Sequence, residues 1–164
     1  MSRTPALIVA LVALAACESQ SAPAPSASSK PSVRQLGQRV VAAMAAGDAA
    51  PIAALLPKTG AEVRVEIRQS LVETDERTAD TLRSPADVES WLAKTRPKWT
   101  CSGEGCAWPG GLKTGELARC IGDCCFSDWP NGIEKHALYV RRVCVAAREA
   151  GEPRLSYIGF VEAK

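Results

Sequence analysis

The sequence has 164 residues, with 20 basic against 18 acidic side chains and seven cysteines. This length suffices for one domain with its own core. The near-balanced charge, with no basic block, argues against a nucleic-acid partner. Beyond the first residues, no apolar run approaches the roughly 20 residues of a membrane-spanning helix.

Taken in order, the chain opens with Met1–Thr4, which carry one positive charge on Arg3, followed by an apolar run from Ala6 to Ala16. As a helix this run would be roughly 16 Å long, about half the thickness of a bilayer core. It is short for a span and right for the apolar region of a signal peptide. Small residues Ala15 and Ala16 precede Cys17 directly. The run Leu14-Ala15-Ala16-Cys17 resembles the lipobox of bacterial lipoproteins at all four positions. The resemblance implies a diacylglycerol on the Cys17 sulfur, cleavage before Cys17, and a membrane partner reached through the lipid. Two or three acyl chains, at about 0.8 kcal/mol per buried methylene, would hold the protein almost permanently. Glu18, in place of Asp, leans the expected location toward an outer membrane.

Glu18–Ser32 is dominated by Ser, Ala and Pro and has no apolar period. It is expected to be a disordered tether with a maximal reach of roughly 50 Å. The expected organisation is therefore a signal peptide over 1–16, a lipidated cysteine and tether over 17–32, and one globular domain over 33–164.

Val33, Leu36, Val40 and Met44 recur at spacings of three and four, which predicts a helix over 33–46 with Gly47 as its C-terminal cap. Asp48 and Pro51 open a short second helix carrying Ile52, Leu55 and Leu56, with Pro57 at its end. Residues 61–72 alternate. Val63, Val65, Ile67 and Leu71 share a buried face, and Glu62, Arg64, Glu66 and Arg68 share a wet one. Residues 73–83 are loop or strand extension. Ser84-Pro85-Ala86-Asp87 starts a third helix, whose apolar face is Val88, Trp91 and Leu92. From Lys98 onward the pattern changes to strands and turns. Trp108-Pro109-Gly110-Gly111 and Trp129-Pro130-Asn131-Gly132 are turn signals, and Leu138–Val145 and Leu155–Val161 are strands.

This order predicts an α+β fold with N-terminal helices packed on a curved antiparallel sheet. The segment Met44-Ala45-Ala46-Gly47-Asp48, followed by Ile52-Ala53-Ala54-Leu55-Leu56, resembles the first helical turn-around of the NTF2-like, or SnoaL-like, superfamily. The resemblance implies a cone with helices on the concave face of the sheet. A cystatin-like helix-on-sheet fold is the alternative.

With Cys17 assigned to lipid, six cysteines remain: Cys101, Cys106, Cys120, Cys124, Cys125 and Cys144. An exported domain meets an oxidising compartment, so these are disulfide candidates. An antiparallel hairpin centred on Gly132 would put Cys120 opposite Cys144. A bridge there closes 25 residues and is worth roughly 3.5 kcal/mol, against roughly 2 kcal/mol for a six-residue loop. The favoured scheme joins Cys120 to Cys144 and lets Cys101 and Cys106 take Cys124 and Cys125. The other scheme is Cys101–Cys106, Cys120–Cys125 and Cys124–Cys144. Zinc ligation and thiol redox chemistry are weaker readings, because no C-x-x-C pair occurs.

His136 is the only histidine, and it lies outside any hydrolase or metalloprotease motif. No pair of carboxylates is singled out for acid–base work. Trp91, Trp99, Trp108 and Trp129 are expected to pack in the core or in turns. No catalytic residue, metal or cofactor is assigned. The expected function is that of a membrane-anchored envelope lipoprotein whose non-catalytic domain binds a protein or small ligand, or supports the envelope. The alternative is a small NTF2-like enzyme acting on a hydrophobic molecule inside the cone. A filled concave face favours the first, and an open pocket with converging His or Asp side chains favours the second.

Overall fold

In the chain leading into the first helix, Ser32 closes a capping box. Its hydroxyl accepts from the Gln35 backbone N–H, and the Gln35 side chain accepts from the Ser32 N–H. The computed structural model describes residues 30–68, 76–128, 132–149 and 151–163. Pro31–Lys164 forms one compact unit. Cys17 and the tether up to Ser29 lie outside the described residues, as do Leu71 and the Trp129–Asn131 turn.

Helix α1, Val33–Ala46, ends at Gly47 in the left-handed conformation, as the sequence leads one to expect. Leu36, Val40 and Met44 are buried, and Gly37, Val41 and Ala43 widen the apolar face. Helix α2, Ala50–Ala53, is a single turn with Pro51 near its start. Asp48 Oδ1 accepts from the Ala50 N–H, and Ile52, Leu55 and Leu56 are buried behind the turn. Helix α3, Pro85–Thr100, starts at a second capping box, made by Ser84 and Asp87. The helix continues through Pro97, two residues beyond the change of pattern at Lys98. The bond that Pro97 cannot donate would have gone to the carbonyl of exposed Ala93, where solvent can satisfy it. Burial of Trp99 in the core favours keeping the last turn helical.

The strands are β1 (Val63–Arg68), β2 (Glu76–Leu82), β3 (Leu112–Lys113), β4 (Arg119–Ile121), β5 (Cys124–Phe126), β6 (Leu138–Glu149) and β7 (Glu152–Glu162). Among the described residues they form one open sheet in the order β2-β1-β7-β6-β5-β4, with β3 on β6 beyond the path. The fold is α+β, but the sheet is mixed rather than antiparallel. β1 runs parallel to β7, and β3 runs parallel to β6. The chain leaves the β1–β2 hairpin, crosses through α3, and returns at the far side of β1, so β7 meets β1 in the same direction. Register shifts between Val140 and Arg142, and again between Cys144 and Val145, mark irregularities in the long β6–β7 ladder. Bulges of this kind bend a strand and curve the sheet.

The helices cover one face. α1 packs on β6, and α3 packs on β2 and α2. Val63, Val65, Val143, Val145, Leu155, Ile158 and Phe160 point inward from the sheet to meet them. The 114–118 segment is tied to α1. Leu117 N–H donates to Gln38 Oε1 at 3.1 Å, and the Arg34 guanidinium donates to the Ala118 carbonyl at 2.7 Å. These bonds lay fully buried Leu117 against the core.

Candidate functional site

The six cysteines of the globular part pair as Cys101–Cys106, Cys120–Cys125 and Cys124–Cys144. This corrects the favoured scheme. The error was one of register. Residues 116–126 do not form one strand opposite β6. They contain a hairpin of their own, in which β4 turns at Gly122-Asp123 into β5. Gly122 takes a φ of 56°, which side-chain-bearing residues rarely adopt. The insertion places Cys124, not Cys120, opposite Cys144, and leaves Cys120 opposite Cys125. Adjacent residues on a strand point to opposite faces. Cys125 is therefore buried on the helix side, while Cys124 reaches Cys144 on the other. Two staples, one from each face, hold three neighbouring strands, two of which are only three residues long. All six sulfurs are engaged, so none is available as a thiolate ligand or nucleophile.

The helix-covered face of the sheet is packed with buried side chains. Trp91 and Trp99 meet edge to face at 5.9 Å between ring centroids, and Phe160 lies 6.4 Å and 6.3 Å from them. These rings belong to one buried cluster that also includes Met44, Leu117 and Ile158. The buried Trp99 Nε1 has no hydrogen-bond partner among the described residues. Trp108 is also buried, behind the turn in which Gly111 N–H bonds its carbonyl at 2.8 Å. His136 sits on an exposed turn just before β6 at φ 59°, with its N–H donating to the Ala163 carbonyl at 2.6 Å.

A cleft of small-molecule size lies at the sheet edge. β3 pairs with β6 only at Leu138 and Tyr139, and β5 joins β6 only from Arg142 onward. Between them opens a cavity of about 620 Å³, within the range of small-molecule sites. Gly115 packs against Ser127 at its base, and the buried Ser127 hydroxyl donates to the Val140 carbonyl at 2.6 Å. Lys113 and Glu134 form an ion pair beside the cleft, and Tyr139 Oη accepts from the Glu134 N–H at 2.8 Å. Glu116 and Asp128 add two carboxylates. The sequence offered no periodic signal for this site, because it depends on which two segments share one edge of β6.

A second constellation corrects the expectation that the outer face of β1 is wet. Glu66, expected on the wet face of β1, is only 5% exposed. Its Oε2 accepts from the Tyr157 hydroxyl at 2.7 Å, and the Arg142 guanidinium lies 4.0 Å over the Tyr157 ring. Register explains the meeting. Gly159 stands opposite Glu66 on one side and Arg142 on the other. The Tyr157 ring reaches along β7 across Gly159, where a Cβ would come within 2.6 Å of it. Burial, followed by the hydrogen bond to Glu66, holds the Tyr157 phenol above its ordinary pKa.

No helix among the described residues is long and apolar enough to cross a membrane. Comparison with protein-family models, curated proteins and solved structures found no match to this chain.

Proposed function

We propose that the chain is a lipid-anchored lipoprotein of the bacterial envelope, carrying a disulfide-stapled, non-catalytic domain that binds a protein or small ligand. The observation that carries this reading is cysteine parity. Six of the seven cysteines pair among themselves, and the seventh is Cys17, the last residue of Leu14-Ala15-Ala16-Cys17. Three disulfides in a small domain also fit an oxidising compartment outside the cytoplasm. The natural place for a small ligand is the edge cleft between β3 and β5. An enzyme working inside the cone would need space where Trp91, Trp99 and Phe160 now stand. The order of helices and strands, with the helices on one face of a curved sheet, supports an NTF2-like architecture.

The test is made in the native host. Wild-type protein should incorporate radiolabelled palmitate, fractionate with membranes, and have an intact mass of residues 17–164 plus acyl chains. Cys17→Ser should lose the label and the membrane association. Labelling and fractionation that survive the substitution would refute the anchor.

A further inference from the structure

One of the three bridges, Cys101–Cys106, stands apart from the others, and we infer that it is a site of thiol–disulfide exchange with an external thiol reductant. Cys101 and the four residues after it are exposed, Cys106 is half-buried, and Ala107 is exposed again. A Cβ on Gly103 or Gly105 would meet nothing within 4 Å, so the loop packs on nothing at those positions. The two sheet bridges differ. Each joins a half-buried cysteine to a buried one, Cys120 to Cys125 at 0% exposure and Cys124 to Cys144 at 5%.

Exchange needs an incoming thiolate at one sulfur and releases the other as a thiolate. At the sheet bridges, attack on the more accessible sulfur would release the buried one, and burial opposes its charge. At Cys101–Cys106 neither cysteine is buried. A thiolate of the reductant attacks Cys101 Sγ and forms a sulfur–sulfur bond there. The Cys101–Cys106 bond breaks, and Cys106 leaves as a thiolate that takes a proton from water. A second thiolate of the reductant then attacks the reductant's own sulfur in the mixed disulfide and releases Cys101. The bridge gains two electrons, and two thiols of the reductant are oxidised to one disulfide. The protein's sulfur is the acceptor in this reaction, so no C-x-x-C helix start is required. Glu104 and the carbonyl end of α3 set negative charge beside the bridge, against Lys98 in the last helical turn. Access, rather than an activated thiol, is therefore what distinguishes this bridge.

The fold also tolerates its opening. Trp99 and Trp108, on either side of the loop, are buried in the core. Gly111 N–H donates to the Trp108 carbonyl, Gly110 N–H to the His136 carbonyl, and Leu138 N–H to the Gly111 carbonyl. Both ends of the loop are thus held without the bridge. The two Cα atoms are 5.8 Å apart, and a loop with fixed ends keeps its thiols close enough to pair again. The sheet bridges, by contrast, hold β4 and β5, which have three residues each. The inference rests on pairing and burial and stands or falls separately from the lipid anchor.

Full-length Cys17→Ser protein, with its three bridges formed, is treated with dithiothreitol, quenched at intervals with iodoacetamide and cut with trypsin. Alkylation of Cys101 and Cys106 in peptide 99–113 should run about tenfold or more ahead of alkylation in peptides 120–135 and 143–148. Protein alkylated at those two positions should keep its near-ultraviolet tryptophan circular dichroism and a cooperative urea transition. Removing the dithiothreitol and adding oxidised glutathione before the quench should restore the bridge. Protein dithiols and small thiols present the same chemistry, and a thioredoxin-type protein whose second C-x-x-C cysteine is replaced by serine separates them. A stable mixed disulfide in peptide 99–113 assigns the exchange to a protein dithiol. Opening by dithiothreitol without that adduct assigns it to small thiols. The inference is overturned if either sheet bridge opens as fast as Cys101–Cys106, if the adduct maps to peptides 120–135 or 143–148, or if opening Cys101–Cys106 alone abolishes the tryptophan signal.

Discussion

Phe160 joins the sheet to both buried tryptophans of α3, and it is 2% exposed. Truncation to alanine removes a ring and leaves a cavity that two large rigid neighbours cannot refill. Phe160→Ala should therefore cost about 3–5 kcal/mol, read as a lowered midpoint in urea with an unchanged slope. Tyr157 gives a pH signature. Its folded pKa is raised, chiefly by burial, so the folded state favours the protonated phenol. The stabilisation this provides is complete below the ordinary tyrosine value of about 10 and is lost as pH rises through the higher folded value. Urea midpoints between about pH 8 and 11.5 should fall further for the wild type than for Tyr157→Phe, which has no phenol to ionise. Parallel curves would show that the phenol is not coupled to folding. Glu66 shows where reading by residue fails. Period-two alternation correctly put it on the face away from the helices, but that face is not uniformly wet. A tyrosine two residues from a glycine on β7 lies across the gap and covers it.

At the scale of elements, the cysteine pattern had two solutions, and one inserted turn decided between them. The decision has a chemical readout. Trypsin cuts after Lys98, Lys113, Arg119, Lys135, Arg142 and Arg148. Under non-reducing conditions, peptide 99–113 should be released alone with an internal bridge, and peptide 120–135 should stay linked to 143–148. A species joining all three peptides would restore the rejected scheme. The bridges should also differ in energy. Cys101 and Cys106 are 5 apart in sequence, whereas Cys124 and Cys144 are 20 apart. On the chain-entropy model, replacing the first pair by serines should cost about 2 kcal/mol and replacing the second about 3 kcal/mol. Urea unfolding of the two double variants checks the order. The larger effect is expected at Cys124–Cys144 because it also joins the short β5 to the long β6.

For the whole molecule, the described contacts of Pro31–Lys164 form a compact unit that begins at the α1 capping box. A fragment starting at Lys30 and oxidised to three bridges should melt within about 3 °C of the full-length chain, a shift corresponding to under about 1 kcal/mol. A larger loss would show that the preceding residues contribute to the fold. The sequence by itself determined the elements whose signals are local: α1 with its glycine cap, the Ser84-Pro85 start of α3, the alternation of β1 and the two late strands. Each depends on contacts within a few residues, which periodicity and capping chemistry encode directly. Tertiary structure alone decided the parallel pairing of β1 with β7, the pairing of Cys124 with Cys144, the burial of Glu66 and the edge cleft. These depend on which strands become neighbours and at what offset. That is set by the joint packing of the helices, the Trp91–Trp99–Phe160 cluster and the Gly122 turn, and no single segment of the chain contains it.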